Sequence, residues 1–220
     1  MEKRMICSLS QEGVVRLLYR QLESFVLPDF LSDKQVIMDA CIAVYPRLEV
    51  NFSYSANKYF GFDTENGRVS RFDPFNTIQW MTFLYYLSRE LYLRNSNLCD
   101  KVYYLNKIMH SVDLFYAIEL PDIWSAEHSL SSVMGRAKYS NGFFFYQGCT
   151  VGGTRGKDGK LHYPIIEKNV RMYANSSVLG HCHIGQNVQI GAGALVKNQD
   201  VPDDCIVFGQ SPNLIIKSLH

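Results

Sequence analysis

The sequence predicts an α+β chain: an α-rich domain over residues 1–110, followed over residues 111–220 by a parallel β-helix with one extruded loop. Three observations carry that expectation. From Ile166 to Val196 every sixth residue is apolar and branched or flexible (Ile166, Met172, Val178, Ile184, Ile190, Val196), a period that fits neither the 3.6 of a helix nor the 2 of a strand. Four residues after each of the first five stands a small or medium side chain: Val170, Ser176, Cys182, Val188, Ala194. Such a repeat builds short strands and sharp turns into a prism, each coil burying its apolar residues only against its neighbours. The first 110 residues lack the period and carry helix signals instead.

Taken in order, Ser10 can cap a helix with Val14, Leu18, Leu22 and Phe25 as its stripe, stopped before Pro28. Asp33 can cap a second, with Val36, Ile37, Ala40, Cys41 and Val44 on one side and Pro46 beyond its end. Phe52 to Phe72 is aromatic and irregular, with Asn66-Gly67 as a tight turn. A third helix is predicted from Asn76 to Leu93, rich in Trp80, Phe83, Leu84, Tyr85, Tyr86 and Leu87. A fourth runs from Leu98 to Met109, with Val102, Leu105 and Met109 in phase. Aromatic helices of this kind are core or subunit interface more often than cofactor boxes. The six-residue phase extends backwards through Val151, Phe145, Tyr139 and Val133. From Val151 to Ile166 the step is fifteen residues rather than six, so nine leave the coil within Thr154–Pro164. Gly153, Gly156, Asp158 and Gly159 favour turns there, and the excursion carries His162.

Charge and cysteine usage exclude some classes. With 22 basic and 21 acidic residues the net charge is +1, which argues against an electrostatic binder of nucleic acid or membrane. Six cysteines without a CxxC pair read as free thiols in a reducing cytosol. The start, MEKRMICSLSQEG, lacks the apolar run of a signal peptide, and no stretch is long enough for a membrane span. A soluble, cytoplasmic protein is expected.

The segment CTVGGTRGKDGKLHYPII, followed by the hexapeptides and by AGALVKNQDVPDDCIVFGQSPNLIIK, resembles the bacterial serine acetyltransferases, which are hexapeptide-repeat acyltransferases. The resemblance runs from Ser111 to the C-terminus and is weak over the first 110 residues. It implies a left-handed β-helix, a homotrimer that could pair into a dimer of trimers, and acetyl-CoA in a groove between neighbouring β-helices. No metal is implied. His128 would be the general base and Asp113, fifteen residues before it, would orient it. His162, eight residues after Thr154 of the GGT motif, would complete the site. The chemistry suits direct acyl transfer: a hydroxyl is too weak an acid to attack a thioester unaided. A neutral imidazole takes its proton as the C–O bond forms, a contribution of about 10²- to 10⁴-fold. A carboxylate on the other ring nitrogen fixes the tautomer. Gly153, Ala174 and Ala192 match positions where the pantetheine arm passes close to the chain, and Lys197 and Lys217 could meet the phosphates.

The acceptor side departs from the family pattern. Serine acetyltransferases usually have arginine immediately before the loop histidine, helping to hold the amino-acid carboxylate; here Leu161 stands there. The aspartate before the first histidine is Glu127, and an Asp-Pro pair corresponds to Asp73-Pro74. Asp73 and Glu127 could hold an ammonium group or hydrogen-bond sugar hydroxyls, and loss of the guanidinium weakens the case for a free carboxylate. The chain ends Lys217-Ser218-Leu219-His220 without the family's terminal isoleucine, so no cysteine synthase complex is expected. The acceptor thus remains either serine or a sugar hydroxyl in surface polysaccharide synthesis. Two non-transferase alternatives stand beside these. One is a trimeric zinc hydratase using His181, His183 and a third histidine, although both sit at a predicted coil turn beside Gly180 and Gly185. The other is a structural trimer, which leaves Asp113, His128 and His162 unexplained.

Overall fold

In this computed structural model the chain divides between His110 and Ser111 into two units, with residues 5–26, 34–55, 57–65 and 67–220 described. The first unit opens on β1 (Met5–Cys7). Ser10 then caps α1 (Gln11–Val26), its Oγ accepting from the Gly13 N–H at 3.1 Å. Val14, Leu18 and Leu22 are buried, whereas Phe25 in the last turn is half exposed.

α2 (Lys34–Ser53) continues through Pro46, where the sequence predicts an end. Proline removes the N–H that would reach the Ile42 carbonyl, at a cost of about 3 kcal/mol inside a helix. Ile42 and Pro46 both lie on the exposed side, open to water, and the full burial of Leu48 and Phe52 beyond them keeps the helix going. The Asp33 cap, the Pro28 stop and Asn66 of the predicted turn lie outside the described residues.

The irregular aromatic stretch forms β2 (Gly61–Thr64) and β3 (Gly67–Phe72), an antiparallel pair to which β1 adds in parallel, in the order β1-β3-β2. A three-residue strand has too little periodicity to be read in advance. Asn76 caps α3 (Thr77–Leu93), its side chain accepting from the N–H groups of Ile78 and Gln79, and α4 (Leu98–His110) follows. α3 is the centre of this unit. Trp80, Phe83, Leu84, Tyr85, Tyr86 and Leu87 are all buried, α2 and α4 pack on it, and Phe83 lies 4.9 Å from the Trp80 ring and 5.6 Å from that of Phe72.

Each coil of the second unit lays short strands on three faces. The first coil supplies β4 (Trp124–Ala126), β5 (Val133–Met134) and β6 (Lys138–Tyr139). The second supplies β7 (Phe143–Phe145) and β8 (Thr150–Gly152), then throws out an antiparallel ribbon, β9 (Thr154–Arg155) and β10 (Leu161–His162), before β11 (Ile165–Ile166). The third is β12 (Arg171–Met172), β13 (Ser177–Leu179) and β14 (His183–Ile184). β15 (Gln189–Ile190) and β16 (Leu195–Lys197) then lead to the hairpin of β17 (Cys205–Gln210) and β18 (Asn213–Ser218). Parallel pairing stacks β4-β7-β12-β15-β17 on the first face, β5-β8-β13-β16 on the second and β6-β11-β14 on the third.

The register gives the arithmetic of the repeat. Arg171 pairs with Gln189, Ser177 with Leu195 and Ile165 with His183, eighteen residues on in each case. Backwards, Arg171 pairs with Phe144 and Ile165 with Lys138, twenty-seven residues away, so nine residues leave the second coil as the sequence predicts. Ile166, Met172, Val178, Ile184, Ile190 and Val196 fill the axis and are fully buried. Val133 does not join them: it is 39% exposed, and Met134 is buried in its place. The reason is a short turn, since five residues rather than six lead from Met134 to the axial Tyr139.

The corners are turned by residues in the left-handed region. At the third corner Asn169, Asn187 and Asp204 have φ of 60°, 57° and 54°. Their side chains form a ladder, Asn169 Nδ2 donating to Asn187 Oδ1 at 3.0 Å and Asn187 Nδ2 to Asp204 Oδ1 at 2.8 Å. Gly148, Asn175 and Gly193 turn the first corner, and Gly180 and Asn198 the second. Glycine and short amides take this conformation at least cost.

Candidate active site

The first corner is longest in the first coil. Eight residues lead from the buried Ala126 to the buried Met134, whereas six lead from Phe145 to Val151 in the coil above. The two extra residues carry the turn outward, and His128 stands in it, exposed, with φ of 50°. That conformation costs a residue with a Cβ roughly 1–2 kcal/mol. The turn is fixed by the Leu130 N–H donating to the His128 carbonyl at 2.7 Å, and by the Gly148 N–H donating to the Leu130 carbonyl at 2.9 Å.

Asp113 runs beside the segment into which this turn leads. It bridges to Val133, its N–H donating to the Ser132 carbonyl at 2.8 Å and its carbonyl accepting from Met134 at 3.1 Å. Glu127 extends the first face, its N–H donating to the Phe145 carbonyl at 3.1 Å. Its carboxylate accepts from the Tyr146 phenol; partial burial, then the Glu127 charge and hydrogen bond, raise the Tyr146 pKa. Tyr146 stacks on Tyr173 at 5.7 Å, and the Tyr173 hydroxyl donates to Gln189 Oε1 at 3.3 Å. Tyr146 is a site neighbour that sequence reasoning missed. Its signal is positional: it follows the axial Phe145 and so points outward in register with Glu127. Ala174 and Ala192 stack on this same corner, the Gly193 N–H donating to the Ala174 carbonyl at 2.9 Å.

The second corner carries the other residues. A methyl group on Gly153 would lie 2.6 Å from Tyr163 Cε1, so the ring is pressed against this backbone. Thr154 Oγ1 donates to Asn198 Oδ1 at 3.0 Å, tying the ribbon to a later coil. His162 pairs with Thr154 across the ribbon, and its Nε2 lies 3.1 and 3.2 Å from the two Asp158 carboxylate oxygens. The His181 ring stands edge-on to it at 5.8 Å. Lys197 is on this corner too, since Leu179 pairs with Gly152 on one side and with Lys197 on the other. Leu161 is 50% exposed, and Arg136, also missed from sequence, lies over the Tyr163 ring at 5.2 Å.

Thus the chain gathers Glu127, His128, Ala174 and Ala192 on one corner, with Asp113 alongside, and Gly153, His162 and Lys197 on the next. Lys217 lies elsewhere, on β18 opposite Ile206. Asp73 belongs to the first unit. Its Oδ1 accepts from Ser8 Oγ at 2.9 Å and from the Phe75 N–H at 3.1 Å, a turn that precedes α3. His183 Nε2 meets Glu167 Oε1 at 3.1 Å. Among the described residues, no three His, Cys, Asp or Glu are grouped to hold a metal ion, no helix is long and apolar enough to cross a membrane, and all six cysteines are free.

A prism of six-residue steps is the architecture of hexapeptide-repeat proteins, and residues 163–198 match the family model described as bacterial transferase hexapeptide (six repeats). Over part of its length the chain is similar in sequence to serine acetyltransferases. It is 35% identical over 116 residues to the serine acetyltransferase of Synechococcus elongatus, an alignment covering 52% of this chain and 47% of that one. The chain therefore aligns with only about half the length of that relative. The crystal structure of Neisseria gonorrhoeae serine acetyltransferase superposes with a TM-score of 0.72 at 22% identity, covering 96% of this chain and 81% of that one. A serine acetyltransferase solved as a complex with CoA gives 0.68 at 18% identity, covering 94% and 84%. These likenesses are of fold: a helical part followed by a left-handed parallel β-helix.

Proposed function

We propose that the chain is an acetyl-CoA-dependent serine O-acetyltransferase, cytoplasmic and trimeric, supplying activated serine for cysteine synthesis. The observation that carries this reading is the shape of the first corner. Small side chains, Ala174 and Ala192, stand on it in successive coils, and a methyl group on Gly193 in the last of these turns would meet nothing within 4 Å, which suits the entry of a thin thioester arm along this edge. The similarity to serine acetyltransferases supports the choice of acceptor.

In this mechanism His128 takes the proton of the acceptor hydroxyl as its oxygen bonds to the thioester carbonyl carbon. The proton then passes to sulfur as the C–S bond breaks, so no covalent enzyme intermediate is required. Asp113 would orient the imidazole and stabilise its charged form. Glu127, already oriented by Tyr146, would hold the serine ammonium group. Gly153 would border the pantetheine arm on the second corner, and Lys197 and Lys217 would meet the phosphates. A sugar hydroxyl is the second reading, favoured by the exposed Leu161 where a carboxylate-binding arginine would stand.

The test is release of free CoA from acetyl-CoA with L-serine and, separately, a panel of nucleotide sugars. Turnover with serine, lowered at least about 100-fold in His128→Ala, is expected. Turnover with sugars alone would replace the acceptor, and failure to bind or turn over acetyl-CoA would end the transferase reading.

A further inference from the structure

The extruded ribbon is built around a pair of side chains that the transfer mechanism above does not use together. We infer that Asp158 is a positioning residue for His162: its carboxylate accepts the Nε2 proton, fixes the neutral ring as the Nε2–H tautomer and leaves the Nδ1 lone pair for the acceptor substrate. This rests on the reading that His162 belongs to the transfer site.

Five observations and one rule of hydrogen bonding carry it. His162 Nε2 lies within hydrogen-bond distance of both Asp158 oxygens, 3.1 and 3.2 Å. An ionised carboxylate only accepts, so the ring nitrogen facing it must carry the proton. The Asp158 carboxyl is held below its ordinary value, first by the Lys160 N–H and then by His162, so it is ionised whenever the imidazole is neutral. The ribbon leaves no slack around the pair: a methyl group on Gly156 would sit 2.7 Å from Asp158 Oδ1 and 2.8 Å from His162 Nε2. Arg155 closes the same turn, its guanidinium donating to the Gly159 carbonyl at 2.5 Å. From the neighbouring coil, His181 presents its ring at 5.8 Å.

The rival role for Asp158 is that of a turn former, because its Oδ1 also accepts from the Lys160 N–H at 3.0 Å. Asp158→Asn separates the two. An asparagine Oδ1 keeps the bond to Lys160, while its NH₂ group replaces Oδ2, 3.2 Å from Nε2, by a donor and shifts the ring towards the opposite tautomer.

The experiment uses the full chain labelled with [¹⁵N]histidine, at about pH 8, above the ordinary histidine pKa of about 6.5. The expected result is Nε2–H at His162 in the wild type and Nδ1–H in Asp158→Asn. Alongside it, kcat for acetyl transfer should fall at least tenfold with KM for acetyl-CoA unchanged, and Asp158→Glu should recover part of the loss. An unchanged tautomer, or an unchanged kcat despite a changed tautomer, would overturn the inference. Absence of turnover in the wild type would instead overturn the function proposed above, while the tautomer would still report whether Asp158 sets the ring.

Discussion

His110 shows how one buried side chain ties stability to pH. In its neutral form Nδ1 donates to Asn106 Oδ1 at 2.8 Å, and Asn106 Nδ2 passes on to the Met81 carbonyl at 3.1 Å, linking α4 to α3. Burial lowers its pKa from 6.5 to about 4, with Asn106 pulling the other way. The unfolded chain therefore binds a proton near pH 6.5 that the folded chain resists until about pH 4. Stability is retained above pH 6.5 and lost as the pH falls towards 4, by about 3 kcal/mol from this group. Urea midpoints measured from pH 7 to pH 4 should fall more steeply for the wild type than for His110→Gln; parallel curves would contradict this. Residues of the candidate site were legible to different degrees. The spacing of Asp113 and His128, and of Thr154 and His162, was visible in the chain. The lengthened turn that exposes His128 was not, because Val133 mimics the six-residue phase while Met134 occupies the axis. Asp158 looked like a turn residue, and its bond to His162 depends on the ribbon's pairing register, which composition does not encode.

At the scale of the element, the β-helix was the most legible part of the molecule. Its period is enforced by the axis, and each step repeats the same choice. The adjacent isoleucines of β11 make this testable with one residue type. Ile166 is fully buried on the axis, and Ile165 next to it is 40% exposed. Ile166→Ala should cost about 2–5 kcal/mol, as for other cavity-forming core truncations, and Ile165→Ala less than about 1 kcal/mol. Thermal or urea unfolding of the two variants decides it; equal losses would mean that the coil tolerates a void. In the first unit the helices were legible from stripe and cap. α2 escaped its predicted end because burial of Leu48 and Phe52 outweighs the local penalty at Pro46, a tertiary effect that a local rule does not see. β1 was missed because three residues pairing with β3 across more than sixty positions leave no local trace.

At the scale of the whole molecule, the two corners set the question. His128 stands on the first corner and His162 on the second, so on a single prism they do not share one edge. If the proposed trimer sets the first corner of each copy against the second corner of the next, every site takes His128 from one chain and His162 from its neighbour. That arrangement has a quantitative consequence. His128→Ala and His162→Ala are each expected to be nearly inactive alone. Unfolded together in equal amounts and refolded, they form mixed trimers in which a site is intact only when both neighbours contribute a wild-type histidine. With random mixing, half of the first contributors and half of the second qualify, so about a quarter of wild-type activity should return. The recovered fraction should follow the product of the two mixing ratios and peak at equal amounts. Light scattering on the same samples should give three times the 25.2 kDa chain mass. If both histidines serve a site within one chain, every mixture stays inactive whatever its mass, and the shared-site arrangement fails.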